Sequence, residues 1–173
     1  HVDNAIKALE QVWGNDDLFY LDCDEISSDQ SADNVYGSEY SFFHANNQKL
    51  NFIPVVGLRR DHIQINEAKN HNRNGLCIRV DLNDLENGTL SSDLEDFIGN
   101  HNINLSDIDL ILDMGSIEEQ RSILVENLAN TFLRSIPNIS DWRSLIMLAS
   151  AFPASMGVVQ KNDTKQVERL EWS

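Results

Sequence analysis

The sequence predicts an α/β fold of parallel βαβ units, most readily part of a (β/α)8 TIM-like barrel, with an open doubly wound sheet as the alternative. Three observations support this. Five short apolar runs recur at roughly 30-residue intervals, each run is nearly continuous rather than alternating, and helical patterns lie between the runs. Continuous apolar runs are typical of parallel strands buried on both faces. The predicted strands lie near 18–22, 52–57, 76–80, 108–113 and 143–149.

The segments between the strands have apolar residues at helical spacing. Ser92 and Glu95 have the spacing of a capping box, which predicts a helix start there. After the fourth strand, Gly115 permits a sharp turn and Ser116 is placed to cap the next helix. Helices are predicted over 2–13, 38–49, 61–71, 91–100, 116–136 and 163–173.

Length and composition indicate one α/β domain over residues 1–173. The chain opens and closes inside helical patterns, so we expect an internal fragment of a longer barrel. The net charge of −15 argues against direct binding of nucleic acid, which needs a basic surface. No apolar run reaches the roughly 20 residues that span a bilayer, and no signal peptide opens the chain. We therefore expect a cytoplasmic protein that does not contact membranes.

Charged residues follow the ends of several predicted strands. Carboxyl ends of parallel strands meet at one mouth, where barrels and open α/β sheets bind ligands. Arg79 is the natural partner of Asp113, because it lies on the preceding strand at an equivalent depth. The arrangement is either a ligand site or a salt-bridged plug without a ligand. The candidate residues are Asp22, Asp24, Arg59, Arg79, Asp81 and Asp113.

The chemistry of this mouth stays open at the level of sequence. Carboxylates there could hold a hard divalent cation, although no cofactor is required, and an arginine could anchor a phosphate. No histidine lies at a strand end, and Ser116 is better explained as a helix cap than as a nucleophile. Cys23 and Cys77 lie in apolar strands and are expected to be unbonded thiols. Whether the protein is an enzyme is therefore not decided.

Six segments in order resemble the bacteriophage-type beta protein family. They read FYLDCDEI, IPVVGLRRD, GLCIRVDLNDLE, DIDLILDMGSI, WRSLIMLASAFPASMG and VERLEW. The resemblance implies a (β/α) barrel of about twice this length, whose further strands precede and follow the present chain. Recurrent positions of the family fall on Asp22, Gly57, Arg79, Asp81, Asp113, Gly115, Phe152 and Pro153.

The resemblance implies a context rather than a reaction, because members look like components of phage-conflict or mobile-element loci. Our first hypothesis is a barrel that binds a protein partner or a small anionic ligand at its mouth. The alternative is a metal-dependent phosphodiester hydrolase that uses the strand-end carboxylates. The oligomeric state is not indicated by the sequence.

Overall fold

The computed structural model describes residues 2–13, 17–22, 50–60, 62–116 and 122–150. The helices predicted over 38–49 and 163–173 lie outside these ranges. The same is true of Cys23 and Asp24.

Five parallel strands form a single sheet in the order β1-β2-β3-β4-β5. Each strand pairs with its neighbour in parallel, for example Leu76 with Ile108 between β3 and β4, and the parallel βαβ prediction is therefore confirmed. The strands are β1 (Leu18–Asp22), β2 (Asn51–Gly57), β3 (Leu76–Val80), β4 (Ile108–Ser116) and β5 (Ser144–Ser150).

In the described part of the chain, five α-helices accompany the sheet, and a 3₁₀ turn over Leu105–Asp107 precedes β4. None of the helices described by the structure is both long and apolar enough to cross a membrane. The helices are α1 (Val2–Trp13), α2 (His62–Asn70), α3 (Leu82–Glu86), α4 (Leu90–His101) and α5 (Ser122–Ser135).

Two predicted helix caps are wrong, and one short helix was not predicted. Helix α4 begins two residues before Ser92, whose hydroxyl instead donates to the Thr89 carbonyl from within the first turn. Ser116 is the last residue of β4 rather than a cap, and α5 begins at Ser122. Helix α3 is capped by Asp81, whose carboxylate accepts the backbone N–H groups of residues 83 and 84.

The two faces of the sheet have different neighbours. The outer face packs against the helices in one apolar core, to which α2, α4 and α5 contribute Ile65, Leu94 and Phe132. Burying each such side chain fully contributes about 1.5–3 kcal/mol. Among the described residues, the inner face has a smaller cluster of strand residues, namely Ile53, Val55, Cys77, Ile111 and Ile146. A doubly wound sheet has helices on both faces, whereas the helices that the structure describes all contribute to the core on the outer face.

The sheet curls around its inner face into a half-barrel. Adjacent strands lie about 4.8 Å apart, so β1 and β4 would be about 14 Å apart in a flat sheet. The hydroxyl of Tyr20 on β1 nevertheless donates to Asp109 Oδ2 on β4 at 3.0 Å. Inward-facing side chains from non-adjacent strands therefore meet across a concave surface. Closure into an eight-stranded barrel remains a prediction.

Cys77 lies at the centre of this concave surface as a free, fully buried thiol. Burial, together with the charges of Asp109 and Asp22, raises the pKa of the Cys77 thiol to about 12. The thiol is therefore protonated at neutral pH, and a protonated thiol is a poor nucleophile.

Candidate functional site at the carboxyl ends of the strands

Four charged side chains meet at the carboxyl end of the concave face. Arg79 donates from Nε to Asp113 Oδ2 at 2.9 Å, and from Nη1 to Asp22 Oδ2 at 2.7 Å. A second bond joins Arg79 Nη2 to the same Asp113 oxygen. Arg60, in the turn after β2, donates from Nη2 to Asp22 Oδ1 at 3.2 Å. The predicted pairing of Arg79 with Asp113 is confirmed, and we call these four residues the mouth cluster.

The local backbone explains why β4 carries an acid at this position. The register between β4 and β5 shifts between Asp113 and Ser116, which forms a bulge. Gly115 has a φ of +66°, and its N–H donates to Asp113 Oδ1 at 2.8 Å. Asp113 therefore fixes the bulge with one oxygen and orients Arg79 with the other.

The mouth cluster is electrically balanced but partly open to solvent. The side chains of Arg60 and Asp113 are largely buried, whereas that of Arg79 is 40% exposed. The hydrogen bond to Asp113 is the largest effect on Arg79 and raises the pKa of its guanidinium, which stays charged at all working pH values. Two arginines thus face two aspartates, and only Arg79 presents much of its surface outward.

The structure places two other candidates in a separate cluster. Arg59 points away from the mouth and pairs with Asp84 and Asp81 at the start of α3. Burial acts to raise the pKa of Asp81, but backbone and side-chain donors in α3 and the charge of Arg59 outweigh it and lower the pKa. Asp81 therefore serves as a helix cap here. The candidate Asp24 lies outside the described residues.

A second polar cluster lies at the opposite, amino-terminal end of the concave face. Asp109 accepts hydrogen bonds from Arg143 Nε at 2.8 Å, Ser144 Oγ at 2.6 Å and Tyr20. Arg143 Nη1 also donates to the Asn74 carbonyl at 2.7 Å. The cluster therefore joins β1, β4, β5 and the loop before β3.

Electrostatics make Asp109 the anchor of this second cluster. The residue is only 3% exposed, and burial acts to raise the pKa of its carboxyl. Bonds from Arg143, Ser144 and Tyr20 outweigh the effect of burial, so the pKa is lowered and the group is ionised. Burial and the bond to Asp109 raise the pKa of Tyr20 in turn.

The mouth cluster is arranged differently from a metal site. Its two carboxylates are bridged by the guanidinium of Arg79, which stands in the position that a cation between them would take. Within the described ranges, histidine, cysteine and acidic side chains do not form a group of three that could hold a metal ion. The exposed polar group at the mouth is therefore the guanidinium of Arg79, which donates hydrogen bonds, rather than a set of acceptor oxygens.

Comparison with known proteins identifies a family but not a reaction. Among curated proteins there is no match to this chain, and the same holds for solved structures. The family model described as Beta protein matches residues 1–173, as the resemblance of the strand segments implied. The chain belongs to the beta protein family.

Proposed function

We propose that this beta protein family member binds an anionic group at the mouth of its half-barrel, through the guanidinium of Arg79. The group is a carboxylate or phosphate, on a small ligand or on a partner protein. The observation that carries the proposal is the geometry of Arg79, which is held by two carboxylates and yet 40% exposed.

The hydrogen bonds of Arg79 leave donors for a ligand. A guanidinium has five N–H groups. The bonds to Asp22 and Asp113 use three of them, one on each nitrogen. One N–H on Nη1 and one on Nη2 make no bond to any residue that the structure describes. Two such donors on a planar group suit the two oxygens of a carboxylate or phosphate.

Asp22 and Asp113 hold Arg79 in one orientation, and their negative charges weaken its attraction for anions. Because Asp22 and Asp113 hold the side chain in one position, little side-chain entropy is lost when a ligand binds. Because the charges of the mouth cluster balance, the binding free energy of a ligand comes more from hydrogen-bond geometry than from electrostatic attraction. We expect weak to moderate affinity, with selectivity for planar or tetrahedral oxyanions over halides.

The alternative function, a metal-dependent phosphodiester hydrolase, needs the same carboxylates as metal ligands. A divalent ion at Asp22 and Asp113 would have to displace the guanidinium of Arg79 from both of them. That exchange loses several charge-assisted hydrogen bonds, so the geometry supports anion binding better.

We place this binding in phage-conflict or mobile-element biology, in the cytoplasm of a bacterial host. Membership of the beta protein family is the support for this context. In that setting, the anionic group is on a phage or host protein or on a small metabolite.

Titration with inorganic phosphate and with acetate tests the anion site. Phosphate should raise the melting temperature, because a ligand that binds only the native state stabilises it. Arg79→Gln should weaken binding by roughly tenfold or more, since a charged hydrogen bond contributes about 1.5–3 kcal/mol. Calorimetric titration at constant ionic strength measures the affinity.

Arg59→Gln is the matched control. Arg59 is exposed, lies next to Arg60 of the mouth cluster in the sequence, and faces away from the mouth. Equal loss in both variants would show that phosphate responds to general charge, and the anion site would be wrong. Stabilisation by Mg²⁺ that Asp113→Asn abolishes would favour the hydrolase. If expression of this protein in cells reduces phage plating, the Arg79→Gln variant should lose that effect and the Arg59→Gln variant should keep it.

The coupling between Arg79 and Asp113 can be measured without a ligand. Asp113→Asn and Arg79→Gln should each lower the free energy of unfolding by about 1–3 kcal/mol, because each leaves a polar partner unsatisfied. The double variant should cost less than the sum of the two, which denaturant unfolding of all four proteins would show. Additive effects would mean that the two side chains do not interact in solution.

A further inference from the structure

A cavity of about 420 Å³ lies between the turn after β2, the start of α2, and helices α3 and α4. Its wall combines carboxylates with aromatic rings. The residues that matter for its chemistry are His62, Asp93, Asp96, Phe97 and His101.

The uncompensated charge of this cavity is negative. Asp93 and Asp96 lie three residues apart on one face of α4, and both side chains are exposed. Neither has a cationic partner among the residues that the structure describes. The arginines of the wall are already engaged, Arg59 with Asp84 and Asp81, and Arg60 with Asp22. Two acidic charges are therefore left to face a ligand.

His101 supplies an independent indication of a ligand. The residue is 8% exposed and lines the cavity, yet its ring makes no hydrogen bond to the described part of the chain. The ring packs against Phe97 at a centroid distance of 4.8 Å and against His62 at 5.3 Å. The ring nitrogens of His101 are not sealed from solvent, so a ligand in the cavity can supply the hydrogen-bond partner that the described part of the chain does not.

The state of His101 suits a ligand that donates hydrogen bonds. Burial has the largest effect on the imidazole of His101 and lowers its pKa. The neighbouring charges of His62 and Lys69 act in the same direction. The ring is therefore neutral near pH 7 and keeps a lone pair that can accept. Lys69 donates to the backbone carbonyl of His101 at 2.5 Å and does not line the cavity.

We propose that this cavity binds an ammonium or guanidinium group. Asp93 and Asp96 supply the opposite charge, His101 accepts a hydrogen bond, and the ring of Phe97 supplies aromatic surface for the cation. The group belongs either to a free polyamine-like molecule or to a lysine or arginine side chain of a basic partner. This site is separate in its chemistry from the anion site at the mouth.

Agmatine, which carries both an amine and a guanidinium, is the probe for the free-molecule form. We expect saturable binding by calorimetry, with a change in the ring resonances of His101 in NMR spectra. The Asp96→Asn substitution should weaken agmatine binding by roughly tenfold, because it removes one charged acceptor. A neutral ureido analogue of the same length should not bind.

Glu95→Gln is the matched control, because it removes the same charge from the neighbouring position of α4, which does not line the cavity. It should leave agmatine binding nearly unchanged. Equal weakening by Glu95→Gln and Asp96→Asn would overturn the proposal, since it would indicate general attraction to an acidic protein. The absence of saturable binding by agmatine and by a short peptide with one arginine would overturn it too.

The peptide and agmatine also distinguish the two sources of the cation. Tighter binding of the arginine peptide supports a basic partner protein, and tighter binding of agmatine supports a free amine. In both cases the Asp96→Asn variant must lose the binding and Glu95→Gln must keep it.

Discussion

Replacing Arg143 with glutamine is expected to lower the free energy of unfolding by about 3 kcal/mol at pH 7, because it leaves a buried carboxylate without its cation. Arg143 is the only cationic partner of Asp109 in the described structure, and it donates to both carboxylate oxygens. Tyr20 and Ser144 still donate to Asp109 in the variant, but neither carries a compensating charge.

The dependence of this effect on pH identifies Asp109 as its cause. In the wild type the pKa of Asp109 is lowered, so the stabilisation is complete above the unfolded-state value near 3.9 and is lost as the pH falls through the folded-state pKa. Without Arg143, burial dominates and raises the folded-state pKa above 3.9. The variant then becomes more stable as the pH falls through that raised pKa.

The difference between wild type and Arg143→Gln should therefore be largest at pH 7 and narrow as the pH falls to about 4. Urea unfolding at several pH values measures both curves. Arg134→Gln, an exposed arginine on α5, is the control and should shift stability little at any pH. A difference that stays constant from pH 7 to pH 4 would rule out Asp109 as the group responsible.

Strands β2, β3 and β4 could be predicted from sequence because burial on both faces leaves a continuous apolar run in each of them. Strands β1 and β5 have similar apolar runs, although much of their surface is exposed in the described structure. Helix α3 could not be predicted, since its five residues are too few for Leu82 and Leu85 to establish a helical pattern, and its cap Asp81 follows β3 directly. The cap of α4 was misassigned because Ser92 is a residue type that often caps helices, whereas its hydroxyl here bonds backward to the Thr89 carbonyl from inside the helix. Local patterns thus predict long elements well and short ones poorly.

The site was partly predictable for a related reason. Alternation along single strands is enough to place Asp22, Arg79 and Asp113 on one face, and their contact follows from sharing one end of the sheet. The bond between Tyr20 and Asp109 depends on curvature, which brings together strands that are three positions apart. No spacing in the sequence reports curvature. Similarly, nothing in the sequence around Arg59 and Arg60 indicates that Arg60 turns toward the mouth and Arg59 turns away from it.

Gly75→Ala is expected to lower the free energy of unfolding by about 3 kcal/mol, and the reason again involves Arg143. Gly75 has a φ of +98°, where a residue with a side chain costs about 1–2 kcal/mol. A Cβ there would also overlap Nη1 and Cζ of Arg143 and lie 2.6 Å from Nη2. The guanidinium could move away only by releasing the Asn74 carbonyl and weakening its pair with Asp109.

Gly88→Ala separates the two causes, because Gly88 also has a positive φ, +70°, but a Cβ there would meet no atom within 4 Å. We expect it to cost only about 1–2 kcal/mol, the backbone part alone. In an Arg143→Gln background the shorter side chain removes the collision, so Gly75→Ala should then cost about as much as Gly88→Ala. The resulting coupling of about 1–2 kcal/mol can be obtained from a double-mutant cycle by urea unfolding. If the cost of Gly75→Ala were the same in both backgrounds, the loop before β3 would not hold Arg143 against Asp109, and this anchor of the half-barrel would have to lie elsewhere.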